Sequence, residues 1–184
     1  RALSLKADGW QWSVFRHPNS GPRVDRGFND HTTGSQVTPQ SLIPGGSMTK
    51  MLTSIAALKL AQVGVLNLDE PVYKAVDPWL KSQGHASLAA TWHGDTTINT
   101  VTARMLLSMR SGIPDYDDGA LREWTLRNPS KDFLPLDFLH NVSKQFLFAP
   151  GKGGAYSGVG YVLMGITLCA VANCTSWDSL QQQQ

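Results

Sequence analysis

Residues 45–64 read GGSMTKMLTSIAALKLAQVG, and this stretch decides how the rest of the chain is interpreted. Strong helix formers fill it from Ser47 to Val63 without Gly or Pro, two glycines precede it, and Gly64 follows in the position of a helix-ending glycine. The pattern predicts a helix from Ser47 to Val63. Its apolar side chains cover most of the circumference, so we expect the helix to be buried nearly all round: Met48, Met51, Leu52, Ile55, Leu58 and Leu60.

The first turn of this helix carries a pair of residues that suits nucleophilic catalysis. Ser47 and Lys50 are three positions apart and therefore share a face. A serine hydroxyl becomes a good nucleophile when a neighbouring base takes its proton, and a lysine in the field of a helix N-terminus is suited to that task. A Ser-x-x-Lys match by itself arises easily by chance, so the surrounding sequence has to support it.

The elements around this helix follow from periodicity and from Gly and Pro positions. We expect strands at residues 10–15 and 24–28, a loop from 29 to 40, and a helix starting near residues 69–71. A further helix is expected at 100–109, two short helices within 121–148, and a last apolar helix at 159–172.

Three ordered blocks resemble the serine β-lactamase and penicillin-binding-protein family, which includes D-alanyl-D-alanine carboxypeptidases and related esterases. The first block is VTPQSLIPGGSMTK at residues 37–50 with LDEPV at 68–72. The second is INTVTARMLLSMRSGIPD at 98–115, and the third is FAPGKGGAYSGVGYVLMG at 148–165. The last two are similar to the family's Ser-Gly-Ile/Leu-Pro turn and to its Tyr-Ser-Asn block, respectively.

The resemblance implies an α+β fold, an α/β sandwich of the β-lactamase and transpeptidase type. An antiparallel sheet would pack with a mostly helical subdomain. The resemblance makes Ser47 the nucleophile and gives proton-transfer roles to Lys50 and Tyr156, with the base open between these two. From the sequence alone, Tyr156 also fits a packing aromatic at a helix start. The implied function is a serine hydrolase acting through an acyl-enzyme on an amide, a D-amino-acid peptide or an ester.

Two departures from the family pattern bear on activity. Gly158 stands where the family has an asparagine, and no Lys-Thr-Gly or His-x-Gly motif follows in the 184 residues. In the family that last motif lies on a C-terminal strand that also supplies an oxyanion-hole N–H, and losing one such donor costs ~10²- to 10³-fold in turnover. We therefore expect a catalytically incomplete chain that lacks the C-terminal part of the sheet, with further chain or other protein subunits covering that place. The alternative function is an inactive family member serving as a structural or interaction subunit.

Composition adds bounds to this interpretation. The 184 residues, 41% hydrophobic and 16% charged, suit one partial domain: residues 1–46 form the strands and loop, 47–180 the helical region, and 181–184 a low-complexity end. A net charge of +2 without a basic cluster argues against nucleic acid, and no apolar run reaches the ~20 residues of a membrane span. The five histidines lack metal-site spacing, so we expect no metal or cofactor. The family resemblance implies a small-molecule or peptide substrate.

The two cysteines and two glycosylation sequons leave the cellular compartment open. Cys169 and Cys174 either close a small disulfide loop or remain free thiols. The sequons begin at Asn141 and Asn173. A disulfide and sequons together slightly favour an exported or organelle-lumenal protein.

Overall fold

The computed structural model describes residues 9–13, 23–30, 35–36, 45–116, 119–128 and 130–174. It divides into two compact units, residues 1–45 and 46–184. In the first unit, β1 (Gly9–Ser13) pairs antiparallel with β2 (Arg23–Asp30), with Gly9 opposite Gly27 and Ser13 opposite Arg23. A two-residue strand, β3 (Ser35–Gln36), pairs antiparallel with β2 and lies within the segment that we expected to be a loop. Residues 14 and 15 of the predicted strand, and residues 31–34 and 37–40 of the predicted loop, lie outside the described residues.

The second unit is helical in its described part. A 3-10 turn (Gly46–Met48) leads into the first helix, and another (Thr96–Thr100) precedes the fourth. The helices are α1 (Thr49–Gln62), α2 (Tyr73–Ser82), α3 (Leu88–Thr91), α4 (Ala103–Leu107), α5 (Gly119–Arg127), α6 (Pro135–Asn141) and α7 (Gly158–Val171). Among the described residues, none of these helices has the length and apolarity needed to cross a bilayer.

Helix α7 is the centre of the helical unit. It packs against α1, α2, α4 and α6, and most of its side chains are buried because nearly all of them are apolar. The predicted span of 159–172 agrees with the observed helix within one residue at each end. Leu163, Met164 and Leu168 are fully buried, and they form one core with side chains from the surrounding helices.

Two helices start later than the sequence predicted, for identifiable reasons. A helix was expected to start near residues 69–71, but the Asp69 carboxylate accepts two hydrogen bonds from Arg104, at 2.6 and 2.8 Å. Helix α2 therefore begins at Tyr73. The predicted helix at 100–109 is shortened to α4, because Thr102 caps its N-terminus by accepting a hydrogen bond from the Met105 N–H.

The expectation that α1 is buried nearly all round was wrong. Thr53 and Ala57 are its buried residues, whereas Met51, Leu52 and Leu58 are each more than half exposed. The reason is packing within the helical unit, where α1 makes its main helix contact with α7 along one face.

The disulfide alternative for the two cysteines is confirmed. Cys169, near the end of α7, is bonded to Cys174, and the Cys174 carbonyl accepts a 2.7 Å hydrogen bond from the Trp79 indole N–H of α2. This pair of links ties the C-terminal end of α7 to α2.

Candidate active site

Ser47 lies in the 3-10 turn that opens α1. Gly46 precedes it with a φ of +51°, a left-handed conformation that favours glycine. Lys50 is in the first turn of α1, so both polar side chains lie at the positive end of the helix dipole. The local sequence thus presents a hydroxyl and an ammonium together at an exposed helix start.

The structure brings the three predicted site residues into contact. The Ser47 hydroxyl oxygen lies 2.6 Å from the Tyr156 phenol oxygen, and either group can be the donor. Lys50 Nζ lies 3.5 Å from Ser47 Oγ and 4.8 Å from the centre of the Tyr156 ring. A proton can therefore pass between serine and tyrosine directly, beside the Lys50 side chain.

Tyr156 reaches Ser47 because the chain before α7 is held against the turn at 109–115. The Ala155 N–H donates to the Met109 carbonyl at 3.0 Å. The Ser157 hydroxyl donates to the Pro114 carbonyl at 3.2 Å and accepts from the Gly160 N–H at 2.8 Å, which caps α7. These bonds fix the backbone on the C-terminal side of Tyr156 as well as before it.

The Ser-Gly-Ile-Pro turn is itself closely packed on residues 146–148. Gly112 has a φ of +75°, and a Cβ added to it would stand 2.2 Å from the Phe148 carbonyl oxygen. The Gly112 carbonyl accepts a 2.8 Å bond from the Leu147 N–H. A glycine is therefore required at this position, and the turn against which the Tyr156 segment is held depends on it.

The electrostatics of the site favour ionisation of the phenol. The Lys50 ammonium, followed by the bond from Ser47, lowers the pKa of Tyr156, while burial and the Asp115 carboxylate act against this to a smaller extent. Tyr156 is 52% exposed, so solvent has access to the proton that it exchanges.

Tyr161, one turn into α7, forms a second layer behind Lys50. Its hydroxyl lies 3.0 Å from both the Ser54 hydroxyl and the Leu107 carbonyl, and its ring centre lies 5.7 Å from Lys50 Nζ. Ser54 in turn bonds the Lys50 carbonyl at 2.8 Å. The three contacts share two hydroxyl protons. Together they connect α1, α4 and α7 around Lys50.

Asp115 is a site residue that the sequence analysis did not identify. Asp115 is half-buried, and its Oδ1 accepts a 2.7 Å hydrogen bond from the Gly158 N–H. The one indication in the sequence was Gly158, which stands where the family has an asparagine side chain. Across the described part of the chain, no cluster of His, Cys, Asp or Glu side chains is suited to a metal ion.

A cavity of about 640 Å³ adjoins the site at Lys50. Its lining comes from the start of α1, from α7, from α2 and the residues after it, and from the start of α6. Its lining is largely apolar: Trp79, Leu134, Pro135, Leu136, Val162 and Ile166 belong to it, together with the Lys50 and Tyr161 side chains.

With the fold and the Ser47–Lys50–Tyr156 contact described, sequence comparison identifies the family. The family model described as Beta-lactamase matches residues 8–184, so the chain belongs to the β-lactamase family. Penicillin-binding protein 4* of Bacillus subtilis (strain 168) is 26% identical over 142 residues, which is 77% of this chain and 28% of that protein. The chain spans about a quarter of the length of the curated relatives it matches.

Solved structures agree with this assignment. A D-stereospecific amidohydrolase from a Streptomyces species superposes with a TM-score of 0.56 at 25% identity, covering 71% of this chain and 37% of that one. D-amino acid amidase from Ochrobactrum anthropi SV3, complexed with L-phenylalanine, gives a TM-score of 0.64 at 21% identity, covering 92% and 42%. The second likeness shows the shared fold alone.

Proposed function

We propose that this chain carries the nucleophile and the proton-transfer groups of a serine hydrolase that forms an acyl-enzyme at Ser47. The observation that carries the proposal is the 2.6 Å contact between the Ser47 and Tyr156 oxygens, with Lys50 next to both. A serine needs a base at hydrogen-bond distance to attack a carbonyl, and this arrangement supplies one.

The proposed reaction has two half-steps. Ser47 Oγ attacks the substrate carbonyl carbon while its proton passes to the ionised Tyr156 oxygen. Collapse of the tetrahedral intermediate then expels the leaving amine or alcohol, which takes the proton from Tyr156. Water attacks the resulting ester by the same route in reverse and releases the acid. Lys50 stabilises the phenolate and remains a candidate for the base.

The substrate class that we propose is an amide, a D-amino-acid peptide or an ester. The names of the structural neighbours, a D-stereospecific amidohydrolase and a D-amino acid amidase, support a small amide. We also propose an α+β fold with an antiparallel sheet. In this proposal, residues 1–184 form one partial domain of that fold. Since this chain covers 28% of its curated relative, an oxyanion-hole donor on a strand outside these residues is part of the proposal too.

Covalent labelling of the full-length protein tests the proposal. A fluorescent penicillin and a fluorophosphonate are each incubated with the wild type and with Ser47→Ala, and the labelled peptide is identified by mass spectrometry. We expect labelling of the wild type at Ser47 and none of Ser47→Ala. Equal labelling of the two proteins would overturn the proposal and favour the non-catalytic alternative, an interaction subunit.

Tyr156→Phe refines the same experiment. Removing a general acid–base group from a positioned site typically lowers the rate ~10²- to 10⁴-fold. We expect the labelling rate of Tyr156→Phe to fall within that range, with Ser47 still the modified residue. A rate equal to that of the wild type would remove Tyr156 from the mechanism.

A further inference from the structure

The side of the site next to Gly158 is filled by a neighbouring turn. A Cβ built on Gly158 would lie 3.0 Å from Asp115 Oδ1 and 3.0 Å from the Tyr116 ring. A side chain at position 158 would therefore need these neighbours to move. The polar group that stands here is the Asp115 carboxylate, which accepts a hydrogen bond from the Gly158 N–H.

The carboxylate is held firmly by one of its two oxygens. Oδ1 accepts hydrogen bonds from the Gly158 N–H at 2.7 Å and from the Tyr116 N–H at 2.8 Å. Within the residues that the structure describes, Oδ2 accepts no hydrogen bond and no basic side chain pairs with Asp115. Asp115 is thus a half-buried carboxylate with one oxygen that has no hydrogen-bond partner among the described residues.

Its charge also acts on the proposed catalytic phenol. The Asp115 carboxylate is among the groups that raise the pKa of Tyr156, against the larger lowering effect of Lys50. An electrostatic effect of this kind requires proximity, because charges near a protein surface are screened within about 10 Å. The hydrogen bond from the Gly158 N–H, two residues after Tyr156, gives the geometry: the carboxylate lies against the segment that carries the phenol.

The chemistry of a carboxylate differs from that of a side-chain amide. An amide offers N–H donors and can bind a carbonyl oxygen of the substrate, whereas a carboxylate only accepts. A neutral acylamino group offers Asp115 one N–H donor without a charge, and its carbonyl oxygen would be repelled. An ammonium group presents three donors and a positive charge, and such charge-assisted bonds are about twice as strong as neutral ones.

We propose that Asp115 binds the free α-ammonium group of the substrate, so that the site selects amino-acid amides, amino-acid esters or peptides with a free amino terminus. This inference rests on the proposed function, because it assigns the group next to the carbonyl that Ser47 attacks. In this proposal Asp115 determines substrate specificity, and Lys50 and Tyr156 carry out proton transfer.

The rival explanation is a structural one, in which Asp115 serves as a cap for α7. A carboxylate that accepts the Gly158 N–H at a helix start is stabilising through the helix dipole. Asp115→Asn separates the two roles, because an asparagine Oδ1 can accept both backbone N–H groups while the charge is lost. Asp77→Asn is the matched control: Asp77 is also half-buried, and it accepts the Leu88 N–H at 2.8 Å.

The test is ligand binding to the full-length Ser47→Ala protein, which cannot turn the ligand over. Phenylalanine amide, in both enantiomers, is compared with 3-phenylpropionamide, which differs only in lacking the amine. We expect the amine-bearing amide to bind roughly 10- to 100-fold more tightly, as for a charge-assisted pair. Adding Asp115→Asn should remove that preference, and adding Asp77→Asn should preserve it.

Either of two results would overturn the inference: equal or undetectable binding of the two amides, or a preference that survives Asp115→Asn. Failure of the proposed function gives a different signature, since it shows as wild-type labelling and amide turnover that do not depend on Ser47. An ammonium preference in the binding experiment without Ser47-dependent turnover would support the role of Asp115 and reject the hydrolase.

Discussion

At the scale of single residues, the contact between Ser47 and Tyr156 determines what the site can do. Their oxygens are 2.6 Å apart, a normal distance for a hydrogen bond between two hydroxyl groups. When Tyr156 is protonated, either group can donate. When Tyr156 is ionised, only Ser47 can donate, and the geometry becomes that of a nucleophile bound to its base. The protonation state of Tyr156 is therefore the variable that the neighbouring residues control.

Replacing Lys50 tests this control. The Lys50 ammonium is the main cause of the lowered pKa of Tyr156, so Lys50→Met is expected to raise that pKa. Tyrosinate absorbance measured against pH, with Tyr156→Phe subtracted as background, reports the change. If the phenolate is the base, the rise of the labelling rate with pH should move to higher pH by the same amount. Lys81→Met, on the exposed surface of α2, is the control and should leave both curves in place.

The sequence predicted some site residues and missed others for a physical reason. Ser47 and Lys50 were predictable because helical spacing alone places them on one face. Asp115 and Tyr161 were not identified as site residues, because their contacts join positions 43 and 107 apart in the chain. No periodicity encodes such contacts. Tyr156 was identified through the family resemblance, and the structure places it against Ser47.

At the scale of elements, the pattern of apolar residues predicted where the helices lie better than which of their faces are buried. The two short helices expected within 121–148 are α5 and α6, and the apolar final helix is α7. Helix α1 was predicted along its length, but its exposed apolar side chains contradict the predicted burial. A helix with apolar residues on all sides can pack on several faces. Which of those faces are covered depends on the neighbouring elements in the tertiary structure.

The turn at Gly112 gives a prediction for an element boundary. Gly112→Ala combines a left-handed backbone with a Cβ 2.2 Å from the Phe148 carbonyl oxygen, whereas Gly84→Ala has nearly the same φ, +77°, and no atom within 4 Å of the new Cβ. We expect Gly84→Ala to lower the free energy of unfolding by about 1 kcal/mol and Gly112→Ala by roughly 3 kcal/mol or more. Urea denaturation measures both. Equal effects would mean that the turn relaxes around the added carbon.

Lys144 predicts a pH dependence at the C-terminal end of α6. Its ammonium donates to the Leu139 and His140 carbonyls and lies 4.9 Å from the centre of the Trp92 ring, and burial lowers its pKa to about 8. The unfolded chain has an ordinary lysine pKa near 10.4, so it binds more protons than the folded chain between these values. Stability due to this group therefore rises as the pH increases from about 8 to about 10.4.

The matching measurement compares the wild type with Lys144→Met. The free energy of unfolding of the wild type, minus that of the variant, should increase by about 1 kcal/mol between pH 7.5 and pH 10, a discounted figure because the amine is half-exposed. The difference between the proteins removes the contribution of other titrating groups. If this difference instead falls as the pH rises, the Lys144 ammonium stabilises the end of α6 by more than its burial destabilises the folded chain.

At the scale of the whole molecule, the two units differ in how far sequence could predict them. Alternating residues predicted the paired strands β1 and β2, because the period of two is a local property. The short β3 was missed, since two residues carry too little pattern to be recognised. In the helical unit, the site is assembled from α1, the turn at 109–115 and the start of α7. Those three segments are also the three blocks of family resemblance.

The link between Cys169 and Cys174 closes a loop at the end of α7 and, through the bond from Trp79 to the Cys174 carbonyl, ties α7 to α2. Because α7 also carries Gly158 and follows Tyr156, the link stabilises the helix on which the site is built. Cross-linking a loop of this length should contribute about 2 kcal/mol by restricting the unfolded chain. We expect the double variant Cys169→Ala/Cys174→Ala to lose about that much in urea denaturation. A reducing agent should lower the stability of the wild type to a similar extent and leave the double variant unchanged, because that variant has no disulfide to reduce. If reduction destabilises both proteins equally, the effect does not arise from this link.

The hydrogen bond from the Trp79 indole to the Cys174 carbonyl is the second connection between α7 and α2. Trp79→Phe keeps an aromatic ring but removes the N–H donor. With the disulfide intact, we expect this variant to lose about 1 kcal/mol in the free energy of unfolding, measured by urea denaturation.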